Sequence, residues 1–189
     1  MTRHPFFGTP LLLSFALGCS STLGASGSRY VHHGEATNLG FKSASLLDVS
    51  VLNADFNPAL GAEAVFLERV DGGGNEWGQW RALALLGVTH MPRRDESALG
   101  YELFLTPGLA RYTARDSGGE RNNMGFALGA EGGLPIRLSG GVPPWKADDI
   151  VGLAGYIVPS VGGTWLGFDA FELTASLSLR VKLWSAATP

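Results

Sequence analysis

The sequence lacks several features that mark common classes of protein. Cys19 is the only cysteine among 189 residues, so no disulfide can form within the chain. Charged residues make up only 16%, against roughly 25% in an average soluble domain. The formal net charge is −3 and no block of Lys and Arg occurs. The electrostatic footprint of a nucleic-acid-binding protein is therefore missing, and we expect no nucleic-acid partner.

Long apolar runs are also missing, whereas glycine is abundant. No run is long enough to cross a bilayer as a helix, which needs about 20 apolar residues. The 27 glycines are about twice the usual share of roughly 7%. Each glycine in a helix interior costs about 1 kcal/mol relative to alanine. This composition disfavours a helical bundle and favours a β-rich chain with many turns.

The clearest pattern is the alternation in residues 171–183, FELTASLSLRVKL, where apolar and polar side chains take turns without interruption. This is the period of a β-strand. Residues 124–138 repeat it, with small residues on one face and Pro135 marking an irregularity. Residues 82–88 also suit a helix by propensity, but we favour a strand there. Further strands are predicted at 46–52, 61–70, 79–91, 99–112 and 149–158, with an eighth around 29–36 or 164–168.

Short connections between these runs predict antiparallel neighbours. Long antiparallel strands must hide their edges, and closure into a barrel does so completely. The sequence therefore predicts an all-β fold, an antiparallel up-and-down β-barrel of about eight strands over residues 39–189.

The start of the chain has the order of an export signal. Arg3 precedes the apolar run 6–17, and small residues follow up to Gly18. The stretch Ala16-Leu17-Gly18-Cys19 resembles the lipobox of bacterial lipoproteins at its Gly-Cys pair, although such motifs usually carry Leu where Ala16 stands. Ordinary signal cleavage before Cys19 is the alternative.

The lipoprotein resemblance implies a division of the chain. Residues 1–18 would be a signal peptide, Cys19 would carry lipid such as palmitate, and 19–38 would form a flexible tether. Ser20 after the cysteine implies sorting to the outer membrane.

Period-two patterning does not decide which face of a barrel meets lipid. A membrane barrel has an apolar outside and a polar inside, and a lipocalin-like soluble barrel has the reverse. Tryptophans near strand ends and charges concentrated in connections favour lipid. Connections of middling length and the redundancy of a lipid anchor oppose it. In a membrane barrel, we expect a charge network in the lumen made by Glu131, Arg137, Glu172, Arg180 and Lys182.

Residues 40–184 resemble the small outer-membrane β-barrels of Gram-negative bacteria. The last strand, ending Leu179, Val181, Leu183 and Trp184, carries most of the resemblance, although SAATP follows it. The resemblance implies a non-enzymatic, lipid-anchored outer-membrane barrel that contacts membrane lipid and acts structurally or within an envelope protein complex. Two alternatives remain: a soluble tethered barrel that holds an apolar ligand, and a lipid-modifying enzyme.

No segment predicts a cofactor or a metal site. His32 and His33 are adjacent, so on an extended segment they point to opposite sides, and with Glu35 they are better explained as a polar segment. His90 is the candidate base if the chain is an enzyme, but no serine stands beside it in sequence. The acidic glycine-rich run 71–76 is explained more simply as a hairpin than as a calcium loop. Residues 93–96 (RRDE) are expected in a solvated loop, with contact to lipid phosphate or a protein as the alternative.

Overall fold

The computed structural model describes residues 15–30, 37–51, 57–70, 76–92, 98–116, 119–140, 151–167 and 170–187. Within these ranges the chain is almost entirely β-strand, and no helix is long and apolar enough to cross a membrane. The strands are β1 (Phe15–Tyr30), β2 (Thr37–Val51), β3 (Asn57–Val70), β4 (Glu76–His90), β5 (Tyr101–Asp116), β6 (Gly119–Gly133), β7 (Ile136–Ser139), β8 (Val151–Leu166) and β9 (Ala170–Ala187).

The strands form one closed antiparallel barrel. Strands β1 to β6 pair with their neighbours in sequence, and so do β7, β8 and β9. Strand β1 also pairs with β9, and β6 pairs with β8 to close the ring. The short β7 continues the path of β6 along β8 after Leu134 and Pro135, so β6 and β7 share one position in the wall. Pro135 has no N–H to give to the ladder, which explains the break. The predicted eight-stranded barrel is confirmed.

The register fixes how far the strands are staggered around the barrel. The path of paired residues that starts at Ala127 passes through Gly108, Leu83, Glu63, Ala44, Thr22 and Arg180 to Tyr156. Ala127 itself pairs with Leu166, ten residues further along β8. For eight strands, a stagger of this size corresponds to a tilt of about 40° from the barrel axis.

Side chains alternate between an apolar outside and a polar inside. In β9, Leu177, Leu179 and Val181 are 52–60% exposed, whereas Ser178, Arg180 and Lys182 between them are buried. The same inversion runs through the other long strands, with exposed Leu23, Leu47, Leu103 and Leu153. The interior is therefore built from polar and charged side chains together with small clusters of buried apolar ones, such as Leu46, Leu85 and Phe104.

The first strand corrects the sequence-based division of the chain. Residues 19–30, predicted as part of a flexible tether, lie in β1 and pair with both β2 and β9. The prediction was wrong because serine and glycine have low strand propensity, yet small side chains fit the narrow lumen. The eighth strand also lies earlier than predicted, since residues 164–166 belong to β8. Residues 82–88 are strand, as favoured.

Candidate functional site

The lumen holds charged side chains at four successive levels, which we call the lumen charge column. Each comes from an inward position, and the two residues that flank it on its strand are apolar or small. Strand β9 supplies three of them, because its inward positions alternate with the leucines of the outer wall. The column comprises Lys42, Asp48, Glu63, Arg81, Glu102, Glu131, Glu172, Arg180 and Lys182.

The first level lies near the end of the barrel that carries Phe15 and Ala187. The Lys182 ammonium donates to Asp48 Oδ2 at 2.5 Å, and both side chains are only 2% exposed. Gly18 makes room for this pair, because a Cβ at that position would overlap with Asp48 Oδ1 and the Lys182 side chain. Gly18 therefore has a packing role in the barrel beside the role that the lipobox resemblance gives it.

At the second level Arg180 bridges three strands. Its two terminal nitrogens each donate to one carboxylate oxygen of Glu102, with Nη2 at 3.1 Å from Oε1. Its Nε donates to Thr22 Oγ1 at 2.9 Å. This two-pronged geometry is the strongest form of ion pair for a guanidinium. It ties β9 to β5 across the lumen and to its neighbour β1.

At the third level the Lys42 ammonium lies between two carboxylates. It is 3.3 Å from Glu63 Oε2, is in direct contact with Glu131 Oε1, and donates to Ser160 Oγ at 3.1 Å. Ser160 in turn shares a hydrogen bond of 2.6 Å with Ser176. One cation thus links β2, β3, β6 and β8.

The fourth level is built around Glu172, which is fully buried. Its Oε2 accepts from Gln79 Nε2 at 3.3 Å and lies 3.5 Å from Arg81 Nη1. Arg81 Nη1 also donates to Thr164 Oγ1 at 3.2 Å. Each cation of the column therefore contacts at least one carboxylate, as buried charges require.

Very little free space remains in the lumen. Around Lys42, Glu63 and Arg81 the cavity amounts to about 10 Å³, room for about one water. Toward the end that carries Ala170, Val65, Leu67 and Trp77 form a buried apolar cluster, and the ring of Tyr112 lies 5.6 Å from that of Trp77. Together these side chains narrow the lumen at successive levels of the described part of the barrel.

The structure places four of the five predicted network residues inside the barrel: Glu131, Glu172, Arg180 and Lys182. It places Arg137 on β7, half-buried and in register with Tyr156. Sequence reasoning missed the remaining members. Each missed residue is a lone charge in an alternating run, so the same pattern would have found them. They are Lys42, Asp48, Glu63, Arg81 and Glu102.

The other candidate residues do not form a recognisable reactive site. The His90 ring stacks on Tyr101 with centroids 5.0 Å apart and planes 19° apart. In the described ranges no three His, Cys, Asp or Glu side chains come together as a metal site. The predictions for His32, His33 and Glu35, for 71–75 and for 93–96 fall outside the described residues.

The outer wall carries an apolar band with a charged boundary on one side. Near the end that carries Ala170, the outward positions of β1, β3, β5 and β6 are Arg29, Glu68, Arg111 and Glu120. Below them the apolar positions of β9 run from Phe171 to Leu183. At the tilt given above this run covers about 30 Å along the axis. That height matches the hydrocarbon core of a bilayer.

Comparisons with known proteins identify the fold. No protein-family model and no curated protein sequence matches this chain. Its structure is similar to that of Ail, the attachment invasion locus protein of Yersinia pestis, with 14% identity and a TM-score of 0.57 over 87% of this chain and 97% of that chain.

A second structure of Ail, in complex with the heparin analogue sucrose octasulfate, matches at 14% identity and a TM-score of 0.57 over 88% and 98% of the two chains. The chain therefore has the fold of an outer-membrane β-barrel.

Proposed function

We propose that this chain is a non-enzymatic, lipid-anchored β-barrel of the Gram-negative outer membrane. It serves as a structural element or as the membrane-embedded subunit of an envelope assembly. The observation that carries the proposal is a lumen filled by paired charges inside an apolar outer wall. Such a barrel offers no cavity for a ligand and no channel for a solute, so its outer wall and its two rims are the surfaces left for function.

The closed lumen is tested by conductance. The purified barrel, inserted into a planar lipid bilayer, is expected to show no discrete channel openings, because the free space near Lys42 holds about one water. The control is a variant in which Lys42, Glu63 and Glu131 are all replaced by alanine, which widens the same level. Stable openings of the unmodified protein would contradict the proposal, whereas openings of the widened variant alone would support it.

The soluble alternative, a lipocalin-like barrel around an apolar ligand, does not fit the interior. Arg180, Lys182 and Glu172 occupy the positions where such a ligand would lie. We expect the Cys19→Ser variant, which cannot carry the lipid, to need detergent for extraction and to migrate faster on a gel when unheated than when boiled. Release by high salt or carbonate without detergent would support the soluble alternative.

An anchor at Cys19 is compatible with the barrel, although without a tether. The Cys19 side chain is exposed on the outer wall, in an apolar depression with Leu47, Leu60 and Leu183. Processing before Cys19 would leave residues 19–30 of β1, more than the roughly 9–11 residues that a spanning strand needs. Lipid on Cys19 would then lie against the barrel wall itself.

The anchor is tested by metabolic labelling with an alkyne analogue of palmitate and by the mass of the mature chain. We expect a labelled protein whose first residue is Cys19, and loss of the label in Cys19→Ser. Cys19→Ser should still show the heat-dependent shift in migration, because Cys19 points away from the lumen. An unlabelled wild-type protein, or a mature chain that retains residues 15–18, would refute the anchor while leaving the barrel intact.

The enzymatic alternative depends on His90. We expect His90→Ala to leave the lipid composition of the outer membrane unchanged relative to the wild type. A change in the acylation of membrane lipids that disappears in His90→Ala would support a lipid-modifying enzyme instead.

A further inference from the structure

The barrel closes where β6 pairs with β8, and β6 extends well beyond the end of β8. Along β5 it is paired over its whole length, from Gly119 to Gly133. Along β8 it is paired only from Ala127 to Gly133, because β8 ends at Leu166. Residues 119–126 thus form an overhang of about 24 Å, at about 3.4 Å per residue. Among the described residues no strand pairs with the outer edge of 119–125.

The overhang follows from the stagger of the barrel. The hairpins join strands whose ends are nearly level: Asp116 pairs with Gly119, and Leu166 pairs with Ala170. Because the two strands of each hairpin end at nearly the same height, the end of the barrel rises only gradually from β8, through the other strands, to β6. Most of the ten-residue stagger then appears as one step where the ring closes, between β6 and β8. The step is therefore a property of the register of the whole barrel.

The backbone of the overhang directs hydrogen-bonding groups toward the vacant side. Gly167 N donates to Phe126 O at 2.7 Å, so the peptide groups of Phe126 point toward β8. Because these directions alternate along a strand, the N–H and C=O groups of Met124, Asn122 and Glu120 point the same way. The groups of the odd-numbered residues between them face β5.

The overhang stands in water rather than in lipid. Residues 119–124 are exposed on both faces of the strand. Glu120 belongs to the charged boundary of the outer wall. Arg111 Nε donates to Asn122 Oδ1 at 2.9 Å, which braces this part of the hairpin on its outward side. The edge is thus a polar strand, and on its β8 side no described strand pairs with the backbone groups of Glu120, Asn122 and Met124.

We propose that the outer edge of residues 119–125 binds a polar, extended segment of a partner protein by β-strand addition, in the position above the end of β8. An unpaired edge is a template for an added strand. The segment runs antiparallel to β6, in the direction that β8 would have continued. Its side chains are polar, because those beside it on β6 are Glu120, Arg121, Asn122 and Asn123. The proposal depends neither on the lipid anchor nor on the closed lumen.

A second copy in the same membrane does not fit this edge. Two barrels with the same orientation are related by an axis along the membrane normal. Their β6 strands, each tilted by about 40°, would cross at about 80° instead of pairing. Two copies in facing membranes could pair through this edge, because such an arrangement is allowed by symmetry. The test below distinguishes that pairing from binding of a partner protein.

The test measures binding of a peptide with the sequence of residues 109–116 to the full chain in lipid nanodiscs, by fluorescence anisotropy. In the barrel this segment of β5 already pairs antiparallel with residues 119–126, on the opposite edge of β6 from the proposed site. The same peptide with alternate amides N-methylated is the ligand control. The variant that blocks the edge carries Asn122→Pro and Met124→Pro. Its matched control is Asn122→Ala, which keeps the backbone donor and loses the side chain.

We expect saturable binding to the wild type, a loss of affinity of at least about tenfold in the proline variant, and a change of less than about threefold in Asn122→Ala. The heat-dependent shift in migration verifies that each variant is folded. No binding to the wild type, equal binding to the proline variant, or equal binding of the N-methylated peptide overturns the proposal. Self-association of nanodiscs that the two prolines abolish would assign the edge to a second copy and also overturns it.

Discussion

The bidentate pair of Arg180 and Glu102 gives the sharpest test of the lumen charge column. The perturbation is Glu102→Gln, which keeps the size of the side chain and removes its charge. Arg180 then remains 5% exposed with no carboxylate at its terminal nitrogens. Its bond to Thr22 Oγ1 at 2.9 Å persists but supplies no charge.

Breaking one partner of a buried ion pair costs about 3–5 kcal/mol, because an uncompensated charge stays in the interior. That is a large fraction of the 5–15 kcal/mol, roughly, by which folded domains are stable. Replacing both partners by apolar side chains of similar volume is often neutral or stabilising. We therefore expect Glu102→Gln to destabilise the barrel by about 3–5 kcal/mol, and Glu102→Leu combined with Arg180→Met to cost less than the single change.

The assay is urea unfolding in phospholipid vesicles, followed by tryptophan fluorescence and by the gel shift between folded and unfolded protein. The free energy of unfolding is compared for the wild type, Glu102→Gln, Glu102→Leu, Arg180→Met and the apolar double variant. A cost below about 1 kcal/mol for Glu102→Gln would mean that water solvates Arg180 and that the lumen is not closed at this level. Additive costs in the double variant would mean that the two side chains do not interact.

Two further predictions concern the wall of the barrel. Leu179→Arg places a charge in the middle of the outward apolar run of β9 and should lower the free energy of unfolding in vesicles by about 2–4 kcal/mol. Gly152→Ala should destabilise by about 1–3 kcal/mol, because its Cβ would overlap with the Trp184 indole, which covers this glycine. Gly132→Ala, where the nearest atom would lie 3.8 Å away, is the matched control and should change stability by less than about 0.5 kcal/mol.

Alternation in the sequence was sufficient to predict most strands, but it was used to predict only four of the nine residues in the lumen charge column. In β9 each polar residue is flanked by large apolar ones, so the two faces are separated by composition alone. The same reading failed in β1, where Ser20, Ser26 and Ser28 face the lumen but look like a linker. A strand with small side chains on its inner face has no local signal, because the reason for those side chains is the width of the barrel and the bulk that opposite strands place in it.

The overhang of β6 cannot be predicted from the sequence of β6 alone. Residues 119–126, GERNNMGF, contain charges and amides that read locally as the flank of a turn. What leaves their edge unpaired is the total stagger, which is set by the register of every strand pair around the ring. A shift of register between β1 and β9 would change the length of the overhang, just as a change in β6 itself would. The edge that we propose for partner binding therefore results from closure of the barrel, and it is recognised only from the pairing of Ala127 with Leu166.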